Sequence, residues 1–291
     1  MTVSDTIRSL GSAITSPANF PPVRRPENSK PHILWRPAIF AVFILLRAGL
    51  GMATTMVAVR TPANVMLASD SGVGVRLRGS DALVPECKIR QMGAIFVGVS
   101  GYFGLATGFN PYDVVRKVSI EGGGLIAIAD RFELVALEPF KAFVEDFRRE
   151  KPALFASLCN NQDCLEVVFI GNENGIPRFS TRCFRVTTPY GHIVVEPADH
   201  YDCPGGCETG AGQALLGMHE NADALLNRTP NFWGAGEVKA IVAGMDELIE
   251  AEIKAKPKDV GLPISILIID ETGPHWAPGY QGVCPDIKSN K

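Results

Sequence analysis

Thr54-Thr55-Met56-Val57-Ala58-Val59-Arg60-Thr61-Pro62-Ala63-Asn64-Val65-Met66-Leu67-Ala68-Ser69-Asp70-Ser71 is the stretch on which the reading of this 291-residue chain turns. Residues 55–61 are rich in β-formers, Pro62-Ala63-Asn64 is turn chemistry, and a second apolar run over 65–68 ends at Ser69-Asp70-Ser71. The pattern predicts a hairpin of two strands. By residue type alone, Thr54 and Thr55 are β-formers opening a strand. A threonine hydroxyl is a weak nucleophile that needs a base beside it. A threonine at a chain's N-terminus carries that base as its own α-amine, whose unperturbed pKa of about 8 suits proton transfer near neutrality. Chemistry at Thr54 therefore requires removal of Ala53.

Upstream, residues 1–37 are rich in Pro, Ser and Arg and lack apolar periodicity, which predicts disorder. Ala38 to Leu46 then form an apolar run between Arg36 and Arg47. It is far shorter than the roughly 20 residues of a spanning helix and has the length of a signal-peptide core. Gly51 and Ala53 place small residues third and first before Thr54, as a signal peptidase site requires. Residues 1–53 are thus expected to be a signal peptide or propeptide that is removed, cleavage falling between Ala53 and Thr54. The expected location is secreted or periplasmic, the alternative being a cytoplasmic protein that trims its own propeptide. Membrane contact is expected only through an uncleaved N-terminal segment.

Downstream of the hairpin, Lys88 to Met92 and Ala94 to Val99 read as strands separated by Gly93 and closed by Ser100-Gly101. A helical region in two pieces follows, the clearer having Pro139 in its first turn and Phe140, Phe143, Val144 and Phe147 on one face. Leu165 to Ile170 and Arg178 to Val186 read as strands around the turn 171–175. A stripe over Val238, Ile241, Val242, Met245, Leu248, Ile249 and Ile253 predicts a helix ending before Pro257, followed by a strand over Ile264 to Ile269. Segregated strands and helices indicate an α+β layered fold over 54–270. Residues 271–291, with Pro274, Pro278 and Pro285, read as an irregular tail.

The whole chain has a net charge of −3, but residues 54–291 hold 22 basic and 29 acidic side chains, a net −7. Such a chain is a poor nucleic-acid binder. The cysteine spacings (Cys159 and Cys164, Cys203 and Cys207) fit neither a paired zinc pattern nor a dense disulfide scaffold, so structural or disulfide roles are expected. Cys203-Pro-Gly-Gly-Cys207 near His200 and Asp202 leaves a metal loop open as an alternative, and a local disulfide becomes reasonable on export. His192, His200, His219 and His275 read as surface or loop histidines.

The run from Thr54 to Ser71 resembles the mature start of proteasome β-type subunits and their bacterial relatives, the threonine peptidases of the N-terminal-nucleophile (Ntn) hydrolase superfamily. The spacing from the leading threonine to Asp70 matches without a gap and selects Thr54 over Thr55. Cys87-Lys88-Ile89-Arg90 and Ala94-Ile95-Phe96-Val97-Gly98-Val99-Ser100-Gly101 resemble the family's lysine strand and the glycine strand after it, with an insertion placed in the loop Val75 to Pro85.

The resemblance implies a four-layer α/β/β/α Ntn-hydrolase sandwich and amide-bond cleavage by acyl transfer to Thr54. Lys88 would sit beside the Thr54 hydroxyl, Asp70 would pair with Lys88, and the Gly101 N–H would serve the oxyanion hole. Thr209-Gly210-Ala211-Gly212-Gln213 stands where the family has a Gly-Ser-Gly turn, with Ala211 replacing the serine and Thr209 as a possible substitute. Asp259 is the nearest counterpart of the family's second aspartate. No metal or cofactor is implied. The implied partners are a peptide or unfolded-protein substrate and copies of the same chain in a ring-forming homo-oligomer. Two other functions remain open: an acylase of small amides from the same superfamily, and a non-catalytic proteasome-like structural subunit, which the missing Ala211 hydroxyl favours.

Overall fold

A computed structural model describes residues 54–77, 80–101, 108–198, 200–203, 211–234 and 236–288, with backbone alone described over 74–77 and 80–82. All belong to the unit Leu46–Lys291. The expected signal segment 1–53, with Ala53, lies outside the described residues, as does Thr209.

The chain is an α+β protein. The predicted hairpin forms as β1 (Thr55–Arg60) and β2 (Val65–Asp70), antiparallel, with Met56 opposite Ser69 and Arg60 opposite Val65. Thr61 and Asn64 close its turn through Thr61 Oγ1 to Asn64 Oδ1 (2.9 Å) and Thr61 N to Asn64 O (2.8 Å). Next come β3 (Gly72–Leu77) and β4 (Ser80–Pro85), paired with each other. The stretch expected to be a loop over 75–85 is therefore largely a second hairpin.

Strands β5 (Ile89–Met92) and β6 (Ile95–Gly101) lie where the apolar runs place them. Helix α1 (Pro111–Ile120) starts with Pro111 in its first turn and Asn110 accepting the Tyr112 N–H (3.0 Å), a standard N-terminal cap. Helix α2 (Leu125–Glu150) is continuous, and Pro139 lies inside it rather than at its start. The apolar stripe explains the difference: Phe132 and Ala136 before the proline and Phe140, Phe143, Val144 and Phe147 after it are all buried. Losing one backbone hydrogen bond at proline costs about 3 kcal/mol, less than this continuous face gains at roughly 1.5–3 kcal/mol per large side chain.

After α3 (Pro152–Leu158), the long hairpin β7 (Gln162–Glu173) and β8 (Ile176–Thr187) turns at Asn174-Gly175, both in the left-handed region. The remaining elements are β9 (Val194–Pro197), β10 (Tyr201–Cys203), β11 (Gly212–Gly217), α4 (Glu220–Arg228), α5 (Val238–Ala255), β12 (Ile264–Asp270) and β13 (Gly273–Trp276). The predicted tail is thus not wholly irregular: β13 pairs with β12, and Lys288 exchanges two hydrogen bonds with the Gln91 side chain.

Besides the β3-β4 pair, the described residues form two larger sheets, one ordered β11-β1-β2-β12-β13 and the other β10-β8-β7-β6-β5, with β9 beside β8. Side chains alternate across each strand, and the alternation divides the core into three clusters. Met56, Ala58, Val65, Leu67, Leu267 and Ile269 share a cluster with Phe96, Val168, Ile170 and Phe179 of the other sheet. Val57, Val59, Met66, Ala68, Ile266 and Ile268 share one with Ile241, Met245, Leu248 and Ile249 of α5. Val97, Val99, Val167 and Phe169 share the third with α1, α2 and α3. Burial on both faces explains why β1 and β2 read as unbroken apolar runs.

Disulfides join Cys87 to Cys284 and Cys159 to Cys164, and Cys203 is also disulfide-bonded. Asp202 accepts hydrogen bonds from Ser180 Oγ and Arg182 Nη1. The cysteine and the carboxylate of the suggested metal loop are therefore both engaged otherwise. No helix among the described residues is long and apolar enough to cross a membrane.

Candidate active site

Thr54 lies fully buried at the start of β1. In the uncleaved chain it follows Ala53, so its nitrogen is an amide with no basic lone pair. Its carbonyl oxygen accepts the Met218 N–H (2.8 Å) and the Ser100 hydroxyl (3.4 Å). Thr55 donates its N–H to Asp70 Oδ1 (2.9 Å) and its hydroxyl to Met218 O (2.7 Å).

Asp70 ends β2, and the antiparallel register carries it to the Thr54 end of β1. Its carboxylate is fully buried and receives four donors. Oδ1 takes Thr55 N–H and Lys88 Nζ, each at 2.9 Å, and Oδ2 takes the N–H groups of Gly72 and Gly261, each at 3.0 Å. Four donors use the acceptor sites of an ionised carboxylate, which suits a buried anion. The Gly72 bond is local, an aspartate reaching two residues on; the Gly261 bond crosses the sequence.

Lys88 precedes β5 and reaches Asp70 with neither side chain exposed. Its carbonyl accepts the buried Tyr112 hydroxyl (2.7 Å), so α1 fixes the backbone that carries the lysine. Arg90 stacks over the Tyr112 ring (4.1 Å), and the Cys87–Cys284 bond ties down the preceding residue. Burial pulls the Lys88 pKa below the ordinary lysine range, while the charge and hydrogen bond of Asp70 oppose it. A buried ammonium with a weakened hold on its proton is able to share that proton with a neighbouring acceptor.

Gly101 is the last residue of β6, with φ of 109°. A Cβ there would lie 2.2 Å from the Cys164 carbonyl oxygen, so glycine is required by packing whatever its N–H does. Asp259 is exposed on the turn after α5. From that loop it is Gly261, two residues on, that touches the Asp70 carboxylate.

Of the stretch expected to supply the turn beside Thr54, the described residues 211–213 lie elsewhere. Gly212 pairs with Arg60, at the opposite end of β1, whereas Gly217 pairs with Thr55. Five residues of strand separate the two ends, about 17 Å. The backbone that meets Thr54 is therefore Gly217-Met218, whereas Ala211 adjoins the Arg60 end of β1. A Cβ on Gly217 would lie 1.9 Å from Thr54 O, and its φ of 79° also demands glycine. Glu252 of α5 accepts the N–H groups of Asn221 and Ala222, anchoring the first turn of α4 just beyond.

Glu166 on β7 was not foreseen. It lies opposite Ser100 and accepts the Gly217 N–H through Oε2. Burial pushes its carboxyl up to about 7, against the downward pull of the Gly217 bond and His219. The available signal was a lone carboxylate in the strand Cys164-Leu165-Glu166-Val167-Val168, in phase with the inward-facing Val168 and Ile170.

Compared with models of protein families and with curated proteins, the chain matches none.

Proposed function

We propose that this chain is a threonine-type amide hydrolase, acting on peptides, whose nucleophile is the Thr54 hydroxyl after release from Ala53. The observation that carries the reading is the Asp70 carboxylate, buried and shared between Lys88 Nζ and the N–H of Thr55, the residue covalently joined to Thr54. In this mechanism the freed α-amine takes the hydroxyl proton, by way of water, as Thr54 Oγ attacks the amide carbonyl. Lys88 offsets the developing alkoxide charge, held and oriented by Asp70. The Gly101 N–H faces the tetrahedral oxyanion, the amine partner leaves with the proton, and water then hydrolyses the acyl ester.

The three-cluster core, with one cluster between the sheets and one on the helix side of each, supports a four-layer α/β/β/α Ntn sandwich. Disulfides support an exported protein, since they persist in oxidising compartments. A ring-forming homo-oligomer belongs to the same reading.

Intact mass and N-terminal sequencing of the natively expressed protein test the first step: a mature chain beginning anywhere but Thr54 removes the base and sinks the mechanism. Hydroxyl-directed electrophile labelling tests the second, and T54A is expected to abolish it with the fold intact. A non-catalytic subunit is the second reading, favoured by Met218, which offers no hydroxyl at the turn meeting Thr54. Correct maturation without labelling would establish it.

A further inference from the structure

A second carboxylate lies on the side of Thr54 away from Asp70. Asp70 takes the Thr55 N–H on the β2 side, while the Thr54 carbonyl turns toward β11 and Met218 N–H. Glu166 stands on that β11 side. It holds Gly217 N–H, and Gly217 packs on Thr54 so closely that a Cβ would enter the Thr54 carbonyl. Ser100, the cross-strand partner of Glu166, donates to the same carbonyl. The carboxylate and Thr54 therefore share two neighbours, Gly217 and Ser100. Among the described residues, the Gly217 N–H is the one hydrogen bond Glu166 receives, leaving Oε1 to water or to a new cation. The side chain is half-buried.

We propose that Glu166 is the counter-ion and positioning residue for the α-amino group set free at Thr54, holding the Gly217-Met218 turn against Thr54 and stabilising the protonated amine. The inference rests on the functional reading above. Before cleavage there is no ammonium for Glu166 to pair with; cleavage supplies one on the same peptide segment. The two groups then titrate as a coupled pair. The other charged and titratable groups around Glu166 are His219, before α4 and itself bonded to Asp223, Asp163 on β7, paired with Arg185 of β8, and the Cys183 thiol directly opposite on β8. All of these remain in place in the variant below.

The test is the pH profile of Thr54 labelling by a hydroxyl-directed electrophile, measured on matured wild type, E166Q and T54A. Glutamine keeps an acceptor for Gly217 N–H and removes the charge, so a purely structural role leaves the profile unmoved. The expected result is an E166Q midpoint lower by about one pH unit, as loss of a nearby anion lowers an amine pKa. Coincident midpoints, with labelling still abolished in T54A, overturn the inference and leave the functional reading standing. Labelling that survives T54A overturns both.

Should E166Q fail to fold, wild type alone decides: the ¹⁵N shift of the Thr54 amine is expected to titrate in two steps, the lower one where Glu166 ionises, below its position in the uncleaved chain because the ammonium favours the carboxylate. A single step overturns the proposal.

Discussion

Replacing Asp70 with asparagine removes the charge at the centre of the Thr54 site while keeping its shape. Asparagine presents one oxygen and one NH2, so one of the two donor pairs now held by Oδ1 and Oδ2 must face another donor. A buried N–H left without an acceptor costs about 1–3 kcal/mol. Stripping a buried ammonium of its carboxylate costs about 3–5 kcal/mol. The terms overlap, because Lys88 is one of the donors, so D70N is expected to lose about 4 kcal/mol. K88M should cost less, since Asp70 then keeps three backbone N–H donors. D70N/K88M has no orphaned ammonium and should be about 2 kcal/mol more stable than D70N alone. The assay is urea denaturation followed by circular dichroism, with disulfides intact and maturation checked by mass. Additivity within about 0.5 kcal/mol, or a D70N cost below about 1 kcal/mol, would refute the claim that the buried pair is a single unit.

Three further outcomes follow from named contacts. G217A should abolish labelling at Thr54 and destabilise the fold by well over 1 kcal/mol, because a left-handed backbone and a clash with the Thr54 carbonyl both oppose a Cβ there; thermal melts and labelling read it directly. Glu166 binds its proton more tightly when folded, with a pKa raised from 4.5 to about 7. Its contribution is therefore full below about pH 4.5 and lost as pH rises through 7. The wild-type minus E166Q stability difference should fall by about 1–3 kcal/mol across that window in the uncleaved precursor, where no α-amine perturbs it; a flat difference would contradict it. Opening the Cys87–Cys284 bond, which closes a loop of 197 residues, as C87S/C284S should cost about 2–5 kcal/mol by denaturation. It should also raise amide exchange at Lys288, whose N–H is held by Gln91.

Much of the site was legible because its parts are local. The hairpin from Thr54 to Asp70 needs only β-formers, a turn and alternation, and its register then brings Asp70 to the Thr54 end of β1. Lys88 was legible from its place ahead of an apolar strand in the family-like pattern, and it does reach Asp70. Pro139 misled because helix propensity is a local quantity, whereas the buried stripe on both sides of it is held by the packed sheet.

The sequence by itself determined where β1, β2, β5 to β8 and β12 fall, that Thr54 heads the first of them, and that Asp70 lies one hairpin away. Only the tertiary structure decided which backbone meets Thr54. Glycines at 212 and 217 both suit a strand end, and nothing local separates them. The pairing of β1 with β11, strands more than 150 residues apart, makes Gly217 rather than Gly212 the neighbour. The same long-range docking brings Gly261 to Asp70, Cys284 to Cys87 and Glu166 to Gly217. Such registers are set by how two sheets bury their shared faces, a property of the whole core that no single stretch of sequence carries.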